Sequence, residues 1–139
     1  MTMKDGHLSS VIIDSPLERT EKKCNECQTV TKNDDLSFIE SNPKLIIIYI
    51  RRYTFRKGKV LKIKSKVFLD EVHLSMNKQM YTYTPTSVVS HMGEDNKGHY
   101  VCYSKMEDGW TEFSDTIIRG KRMPPEDAYI VLLKRSCME

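Results

Sequence analysis

His99 is the residue in this sequence with the clearest potential for chemistry. It follows a polar segment bounded by glycines, Gly93–Gly98, and lies in the alternating run Gly98–Ser104, which has the two-residue period of a strand. Imidazole exchanges protons near neutral pH, so a histidine in this position can act as a general base. Taken alone, however, a strand histidine is more often a partly exposed residue without a role, and its surroundings must decide.

Two of the four cysteines, Cys24 and Cys27, form a Cys-x-x-Cys pair. Two thiolates at this spacing suit two of the four tetrahedral positions around Zn²⁺. No secretory signal is recognisable in residues 1–14, so we expect reduced cysteines and a cytoplasmic or nuclear location. A single pair leaves two interpretations open, a zinc site or a turn with two free thiols.

The pattern of apolar runs and turn signals predicts an α+β fold that is mostly antiparallel β-sheet, with few helices. The predicted strands are Leu45–Tyr53, Val67–Leu69, Tyr81–Val89, Gly98–Ser104, Trp110–Phe113 and Ala128–Lys134. The first is an almost unbroken apolar run that we expect to be buried on both faces, and the last should be a buried closing strand. Since no long helix is predicted to cover these strands, we expect another segment or a partner to do so.

The composition is that of a globular domain, with 139 residues, 39% apolar and 29% charged. No apolar run approaches the roughly 18 residues that span a bilayer, so we expect no membrane association. Eight positive charges fall within residues 51–66: Arg51, Arg52, Arg56, Lys57, Lys59, Lys62, Lys64 and Lys66. Lys62, Lys64 and Lys66 alternate with other residue types, which favours solvated lysines guarding a sheet edge over a nucleic-acid site.

Four motifs occur along the chain in a defined order. They are Cys24-Asn25-Glu26-Cys27, the segment Asn42–Tyr53, the box Gly98-His99-Tyr100 followed by Trp110–Asp115, and a final strand from Ala128-Tyr129 to Lys134-Arg135. From about residue 21 to 135 this succession resembles the C-terminal half of the catalytic domain of the ubiquitin-specific proteases. The resemblance implies one partial, papain-like domain over residues 1–139, with part of the fingers and a zinc-ribbon remnant in about 1–43 and the palm in about 44–139.

The resemblance also implies catalytic roles. His99 corresponds to the base that draws a proton from a cysteine thiol, and a third group must orient its ring. Ser114 matches that third group by position, whereas Asp115 has the more suitable charge. If the strand continues through both residues, they point to opposite sides and only one of them can contact the ring. The sequence leaves these two alternatives open.

Further residues are implied in binding the C-terminal tail of ubiquitin. The loop Gly93–Gly98 corresponds to a blocking loop above the channel for that tail, and Gly98 would let a substrate backbone approach closely. Tyr100 would form a wall of the channel. Glu94 and Asp95 are candidates to attract arginines of the tail, or are simply solvated acids of a turn.

The nucleophile expected by resemblance lies in a Gly-Asn-Thr-Cys type of box, which does not occur in these 139 residues. Cys102 should face away from His99, and Cys137 lies near the end of the chain. We therefore expect the chain alone to be inactive, and to hydrolyse the bond after the C-terminal glycine of ubiquitin when a cysteine-bearing half completes it. The alternatives are a non-catalytic ubiquitin-binding module and, less in keeping with the motifs, a nucleic-acid-binding domain.

The expected partners are ubiquitin or ubiquitinated proteins, and neither nucleic acid nor a membrane is expected. A thiol peptidase of this kind requires no cofactor for its reaction. Zinc at Cys24 and Cys27 would be structural.

Overall fold

The computed structural model of the chain describes residues 6–8, 18–35, 41–94 and 97–136. The strands in these residues are β1 (Gly6–His7), β2 (Glu18–Lys23), β3 (Val30–Asp35), β4 (Leu45–Tyr49), β5 (Tyr53–Arg56), β6 (Lys59–Lys62), β7 (Val67–Phe68), β8 (Val72–Met76), β9 (Gln79–Glu94), β10 (Lys97–Met106), β11 (Gly109–Ser114), β12 (Ile117–Gly120) and β13 (Ala128–Arg135). Within the described ranges, no helix is long and apolar enough to cross a membrane.

Seven of the strands form one antiparallel sheet. Its order is β12-β11-β10-β9-β13-β4, and β8 also pairs with β9. The prediction of a mostly antiparallel β-fold is therefore confirmed, whereas the helical part of an α+β fold stays a prediction. The β13 strand lies between β9 and β4, and Val131 and Leu133 are fully buried, as expected for a closing strand of the core.

The long strand β9 joins most of this sheet together. Its first part pairs with β8 and its last part with β10, while β13 pairs along the opposite edge. Pro85, which has no N–H to donate, lies beside a register shift of β13 between Leu132 and Leu133. The core forms on one face of the sheet, where Val88, Val101 and other apolar side chains pack together.

The β4 strand differs from its prediction. It ends at Tyr49, and β5 begins only at Tyr53 as part of a separate two-stranded sheet. Among the described strands, β4 pairs only with β13 and lies at the edge of the large sheet. Ile46 and Ile48 therefore pack against the core, while Ile47 is 72% exposed. The expectation that this segment is buried on both faces was wrong.

The lysine-rich segment also differs from its prediction. The β6 strand ends at Lys62, so Lys64 and Lys66 do not continue an alternating edge strand. Lys66 forms an ion pair with Glu126 at 3.4 Å, and Lys62 is half-buried and donates hydrogen bonds to the end of β9. The prediction that these lysines face solvent was wrong for Lys62. Its hydrogen-bond partners lie about thirty residues away along the chain, so the local sequence pattern does not indicate them.

Arg52 is a fully buried cation that connects three parts of the fold. Its Nε donates to the carbonyl oxygen of Ala128 at 2.7 Å, and its Nη1 donates to those of Ile63 at 3.1 Å and Ser65 at 2.6 Å. Burial lowers the pKa of the Arg52 guanidinium, and the charge of Asp127 opposes this effect. The side chain therefore attaches the segment after β6 to the start of β13.

Replacing Arg52 with leucine should lower the free energy of unfolding by about 3 kcal/mol, because three buried or half-buried carbonyl oxygens lose their donor. Urea denaturation followed by circular dichroism measures the change. Arg51→Leu is the matched control, since Arg51 is exposed and its replacement should change stability by no more than about 0.5 kcal/mol. Equal effects of the two substitutions would contradict this role for Arg52.

Candidate functional site

The β9–β10 hairpin positions His99. In its register His99 pairs with Met92, and Gly98 pairs with Gly93 on the side nearer the turn. Gly93 has a φ of +116°, and a Cβ there would overlap the carbonyl oxygen of Lys97. Glycine is therefore required at this position by both conformation and space.

Glycine is required at position 98 for a different reason, because the ring of His91 occupies the space that a Cβ would need. A Cβ at Gly98 would overlap the His91 imidazole and would also lie 2.8 Å from the carbonyl oxygen of Met92. His91 is buried at 6% exposure, with its ring 4.8 Å from that of Tyr100 and 6.4 Å from that of Tyr129. Gly98 thus permits a buried histidine to pack against the strand that carries His99.

The side chain of His99 meets that of Ser114 across neighbouring strands. Cys102 of β10 pairs with Phe113 of β11, so Ser114 lies next along β11 toward the His99 end of β10. The His99 Nε2 and Ser114 Oγ atoms are 2.9 Å apart, within hydrogen-bonding distance.

Asp115 approaches the same nitrogen of His99. Its Oδ2 lies 3.7 Å from Nε2, and its side chain is largely exposed. The β11 strand ends at Ser114, and Asp115 adopts a φ of +52°, so the strand does not continue through both residues. The alternation that would have sent Ser114 and Asp115 to opposite sides therefore does not apply.

This arrangement favours one tautomer of His99. A carboxylate close to Nε2 favours the form with a proton on that nitrogen, which then donates to Ser114 Oγ. Nδ1 is left with the lone pair, and among the described residues it has no hydrogen-bond partner. A thiol placed near Nδ1 would therefore meet a base whose ring is already oriented through Nε2.

The predicted tail-binding residues are only partly described. Tyr100 is 56% exposed, and strand alternation directs it to the face of β10 opposite His99, where its ring contacts that of His91 at a tilt of 53°. Glu94 ends β9, but its side chain and the whole of Asp95 lie outside the described residues. The structure thus brings His99, Ser114 and Asp115 together and directs Tyr100 to the other side of β10.

Cys102, one of the two cysteines considered as nucleophiles, is not placed at His99. Cys102 is half-buried and lies three residues along β10 from His99, on the opposite face. Its Sγ atom lies 3.9 Å from Ser104 Oγ. Cys137 lies outside the described residues.

The cysteine pair Cys24 and Cys27 lies at the turn between β2 and β3. The turn is closed by hydrogen bonds from the Cys24 N–H to the Thr29 carbonyl and from the Gln28 N–H to the Cys24 carbonyl, at 2.9 and 3.0 Å. Within the described residues no group of three or more His, Cys, Asp or Glu side chains could hold a metal ion. The pair supplies two zinc ligands of the four that a structural site requires, so the described donors do not by themselves fit the metal.

The Cys27 thiol has an unusual acidity. Hydrogen bonds from the side chain and backbone of Thr29, with a smaller one from Cys24, lower the pKa of Cys27 to about 7. The Cys27 Sγ and Thr29 Oγ1 atoms are 2.7 Å apart. Hydrogen bonding to the charged form stabilises a thiolate, which is also the form that binds metals.

Sequence reasoning missed Lys62 at this site. Its Nζ atom lies 3.0 Å from Nδ1 of His91, which precedes Met92, the strand partner of His99. No signal in the sequence distinguishes this lysine from its exposed neighbours, because the contact joins residues far apart in the chain.

A family comparison identifies the chain. The family model described as ubiquitin carboxyl-terminal hydrolase matches residues 12–132. The chain belongs to the ubiquitin carboxyl-terminal hydrolase family. This membership confirms the type of protein that the His99 motif predicts, a family of thiol proteases that remove ubiquitin.

Curated relatives carry the same name. The chain is 26% identical over 124 residues to ubiquitin carboxyl-terminal hydrolase cyk-3 of Caenorhabditis elegans, which covers 81% of this chain and 10% of that protein. It is 25% identical over 126 residues to ubiquitin carboxyl-terminal hydrolase Usp2 of Drosophila melanogaster, with 81% of this chain and 13% of that protein covered. The chain thus spans about a tenth of the length of these hydrolases.

Solved structures of a DUB module share the fold. The chain matches a chain of the SAGA Ubp8/Sgf11/Sus1/Sgf73 DUB module with a TM-score of 0.67 and 20% identity, over 88% of this chain and 32% of that chain. A second structure of this module, described as bound to monoubiquitin, gives a TM-score of 0.68 and 20% identity over 88% of this chain and 31% of that chain. The chain therefore corresponds to about a third of each matched chain.

Replacing Gly98 with alanine should destabilise the hydrolase fold by about 1–3 kcal/mol, because the new methyl group would overlap the His91 ring. Thermal or urea denaturation measures the loss, and proton NMR should show shifted resonances for His91 and His99. Gly120→Ala is the control, since no atom of the described residues lies within 4 Å of a Cβ at that position. If both variants unfold like the wild type, the packing explanation for Gly98 is incorrect.

Alkylation of Cys27 by iodoacetamide should rise with pH to half its maximal rate near pH 7, below the value of about 8.5 typical of a free thiol. Peptide mass spectrometry separates Cys27 from the other thiols. Thr29→Val removes the main stabilising hydrogen bond and should raise the midpoint, whereas Thr54→Val, in another sheet, should leave it unchanged. A wild-type midpoint that stays above pH 8 would refute this description of the turn.

Proposed function

We propose that this chain supplies the general base and its orienting groups to a deubiquitinating thiol peptidase whose nucleophilic cysteine lies in another segment. The observation that carries the proposal is the pair His99 and Ser114, 2.9 Å apart through Nε2, with Asp115 at 3.7 Å from the same nitrogen. One ring nitrogen is held and the other is left to exchange a proton. This is the arrangement that a histidine needs to activate a thiol.

The proposed reaction uses each of these groups in turn. His99 Nδ1 accepts the proton of the cysteine thiol, and the thiolate attacks the carbonyl carbon after the C-terminal glycine of ubiquitin. The imidazolium then returns the proton to the leaving amine as the carbon–nitrogen bond breaks and a thioester forms. Water, deprotonated by His99, hydrolyses the thioester and releases the thiol. Ser114 keeps the ring oriented throughout, and the negative charge of Asp115 stabilises the imidazolium.

The need for a second segment is supported by the outer face of the large sheet. On the edge strand β4, Leu45, Ile47 and Tyr49 are each more than half exposed, and Ile118 of β12 is also exposed. Apolar side chains in this number on one sheet favour a covering partner. We propose that another part of the catalytic domain covers this face, with residues from about 44 onward as the palm.

Ubiquitin is the proposed substrate. Structures of the Ubp8 module are described as bound to monoubiquitin and to ubiquitin aldehyde, and the fold of this chain matches theirs. In this chain we propose that the tail of ubiquitin passes the loop Gly93–Gly98, with Glu94 and Asp95 as candidates to contact its arginines and Tyr100 beside it. Zinc at Cys24 and Cys27 stays a proposal that needs two further ligands.

A second candidate function is ubiquitin binding without cleavage. It is favoured by one observation: among the described residues, no cysteine thiol contacts His99. A non-catalytic family member would keep the β9–β10 hairpin and the loop Gly93–Gly98. Its ubiquitin binding would not depend on His99. The two functions therefore differ in their response to a substitution of His99.

The test uses the chain combined with the cysteine-bearing segment of the same domain. His99→Ala should lower kcat for ubiquitin cleavage by about 10²–10⁴, because the general base is lost, and should leave the Kd for ubiquitin within about twofold. Ser114→Ala should lower kcat more than Asp115→Ala, since the hydroxyl is closer to Nε2 than the carboxylate is. Cleavage of a fluorogenic ubiquitin amide and calorimetry provide the two measurements.

His73→Ala is the matched control, because His73 is exposed and contacts Thr82 on the far part of β9; it should leave kcat unchanged. Near-wild-type turnover by His99→Ala would refute the proposed base. Tight ubiquitin binding without cleavage by the unmutated combination would favour the binding module.

A further inference from the structure

The ammonium of Lys62 is bound by three acceptors at the end of β9. Its Nζ lies 3.0 Å from His91 Nδ1 and donates to the carbonyl oxygens of His91 at 3.0 Å and Gly93 at 3.3 Å. An ammonium has three N–H donors, so this geometry uses all of them. Lys62 therefore attaches the β5–β6 hairpin, which forms its own sheet, to the β9–β10 hairpin that carries His99.

This contact determines the protonation of His91. An ammonium can only donate, so His91 Nδ1 must carry a lone pair, and the single ring proton must be on Nε2. The side of the ring with Nε2 and Cε1 faces Gly98, where a Cβ would overlap it. The rings of Tyr100 and Tyr129 lie close to the imidazole, with centroids 4.8 and 6.4 Å from its own. His91 is thus a neutral ring with a defined tautomer, packed against the residue that precedes His99.

The residues that Lys62 binds surround the strand partner of His99. His99 pairs with Met92, and the two residues that accept hydrogen bonds from Lys62, His91 and Gly93, lie on either side of Met92. The same two residues pair with Tyr100 and Gly98, on either side of His99. A displacement of this short segment of β9 would therefore be transmitted to His99 from both sides.

We propose that Lys62 is a positioning residue for the catalytic base: it fixes the segment 91–93 and the tautomer of His91, and through them the placement of His99 at the tail-binding loop. The catalytic part of this inference rests on the proposed function. Hydrogen bonds from a charged donor are stronger than neutral ones, and Lys62 is half-buried, which limits screening by solvent. Lys64, two residues further on, is exposed and provides the contrast.

The first experiment measures the tautomer in this chain without reference to activity. Nitrogen-15 NMR of the wild type should show His91 with an unprotonated Nδ1 and a protonated Nε2. In Lys62→Met the Nδ1 hydrogen bond is lost, so both nitrogen shifts should move toward a mixture of tautomers. Amide hydrogen exchange at Met92 and His99 should become at least about tenfold faster, as local opening becomes easier. Lys64→Met should reproduce the wild type in both measurements.

Lys62→Arg keeps a cation with several donors, and should preserve the unprotonated Nδ1 even if Lys62→Met does not fold. Wild-type His91 with its proton on Nδ1 would overturn the proposal. Tautomer and exchange that are identical in Lys62→Met and the wild type would also overturn it, as would loss of the tautomer in Lys62→Arg.

The second experiment measures catalysis in the combined enzyme. Lys62→Met should lower kcat by about tenfold, as expected for a base that is misplaced part of the time, while the Kd for ubiquitin changes less than twofold; Lys62→Arg should restore part of kcat. A normal kcat in Lys62→Met, in an enzyme that His99→Ala inactivates, would overturn the positioning of catalysis. If His99→Ala itself is active, the proposed function fails, and the tautomer and exchange results alone decide whether Lys62 fixes the hairpin.

Discussion

The antiparallel register between β9 and β10 is the constraint on which the candidate site depends. In this register His99 lies opposite Met92, and Val101 and Tyr103 face the core. A shift by one residue would turn the buried side chains of β10 to the other face and carry His99 away from Ser114. Burial of Val88 and Val101 makes such a shift unfavourable, because each would expose apolar surface. The hydrophobic core therefore fixes the position of a polar, half-exposed site.

Two cations of the basic segment complete this arrangement. Arg52 donates to backbone carbonyls after β6 and at the start of β13, and Lys62 donates to those at the end of β9. Both connect the small β5–β6 sheet to the large sheet, and both donate to backbone carbonyl oxygens. The positive charge of residues 51–66 thus contributes to internal structure, since a cation bound by several carbonyl oxygens stabilises the junction.

The site itself is organised on one side and open on the other. Ser114 and Asp115 approach Nε2 of His99 because β11 ends between them, and the left-handed conformation of Asp115 turns its carboxylate back toward the ring. Nδ1 faces no donor or acceptor among the described residues. An imidazole held through one nitrogen is suited to complete a catalytic group whose remaining member belongs to another part of the domain.

Periodicity in the sequence was sufficient to predict the strand of His99 and the buried strand β13, because alternation and apolar runs are local features of the chain. Ser114 and Asp115 were implied as partners of His99 by the family resemblance, which left the choice between them open. The tertiary structure decided the rest. An apolar run does not state whether its strand lies inside a sheet or at its edge, so the exposure of Ile47 required the strand order. Lys62 and Lys64 have the same local sequence pattern. Only a contact between residues 29 positions apart in the chain places Lys62 on His91, whereas Lys64 is exposed.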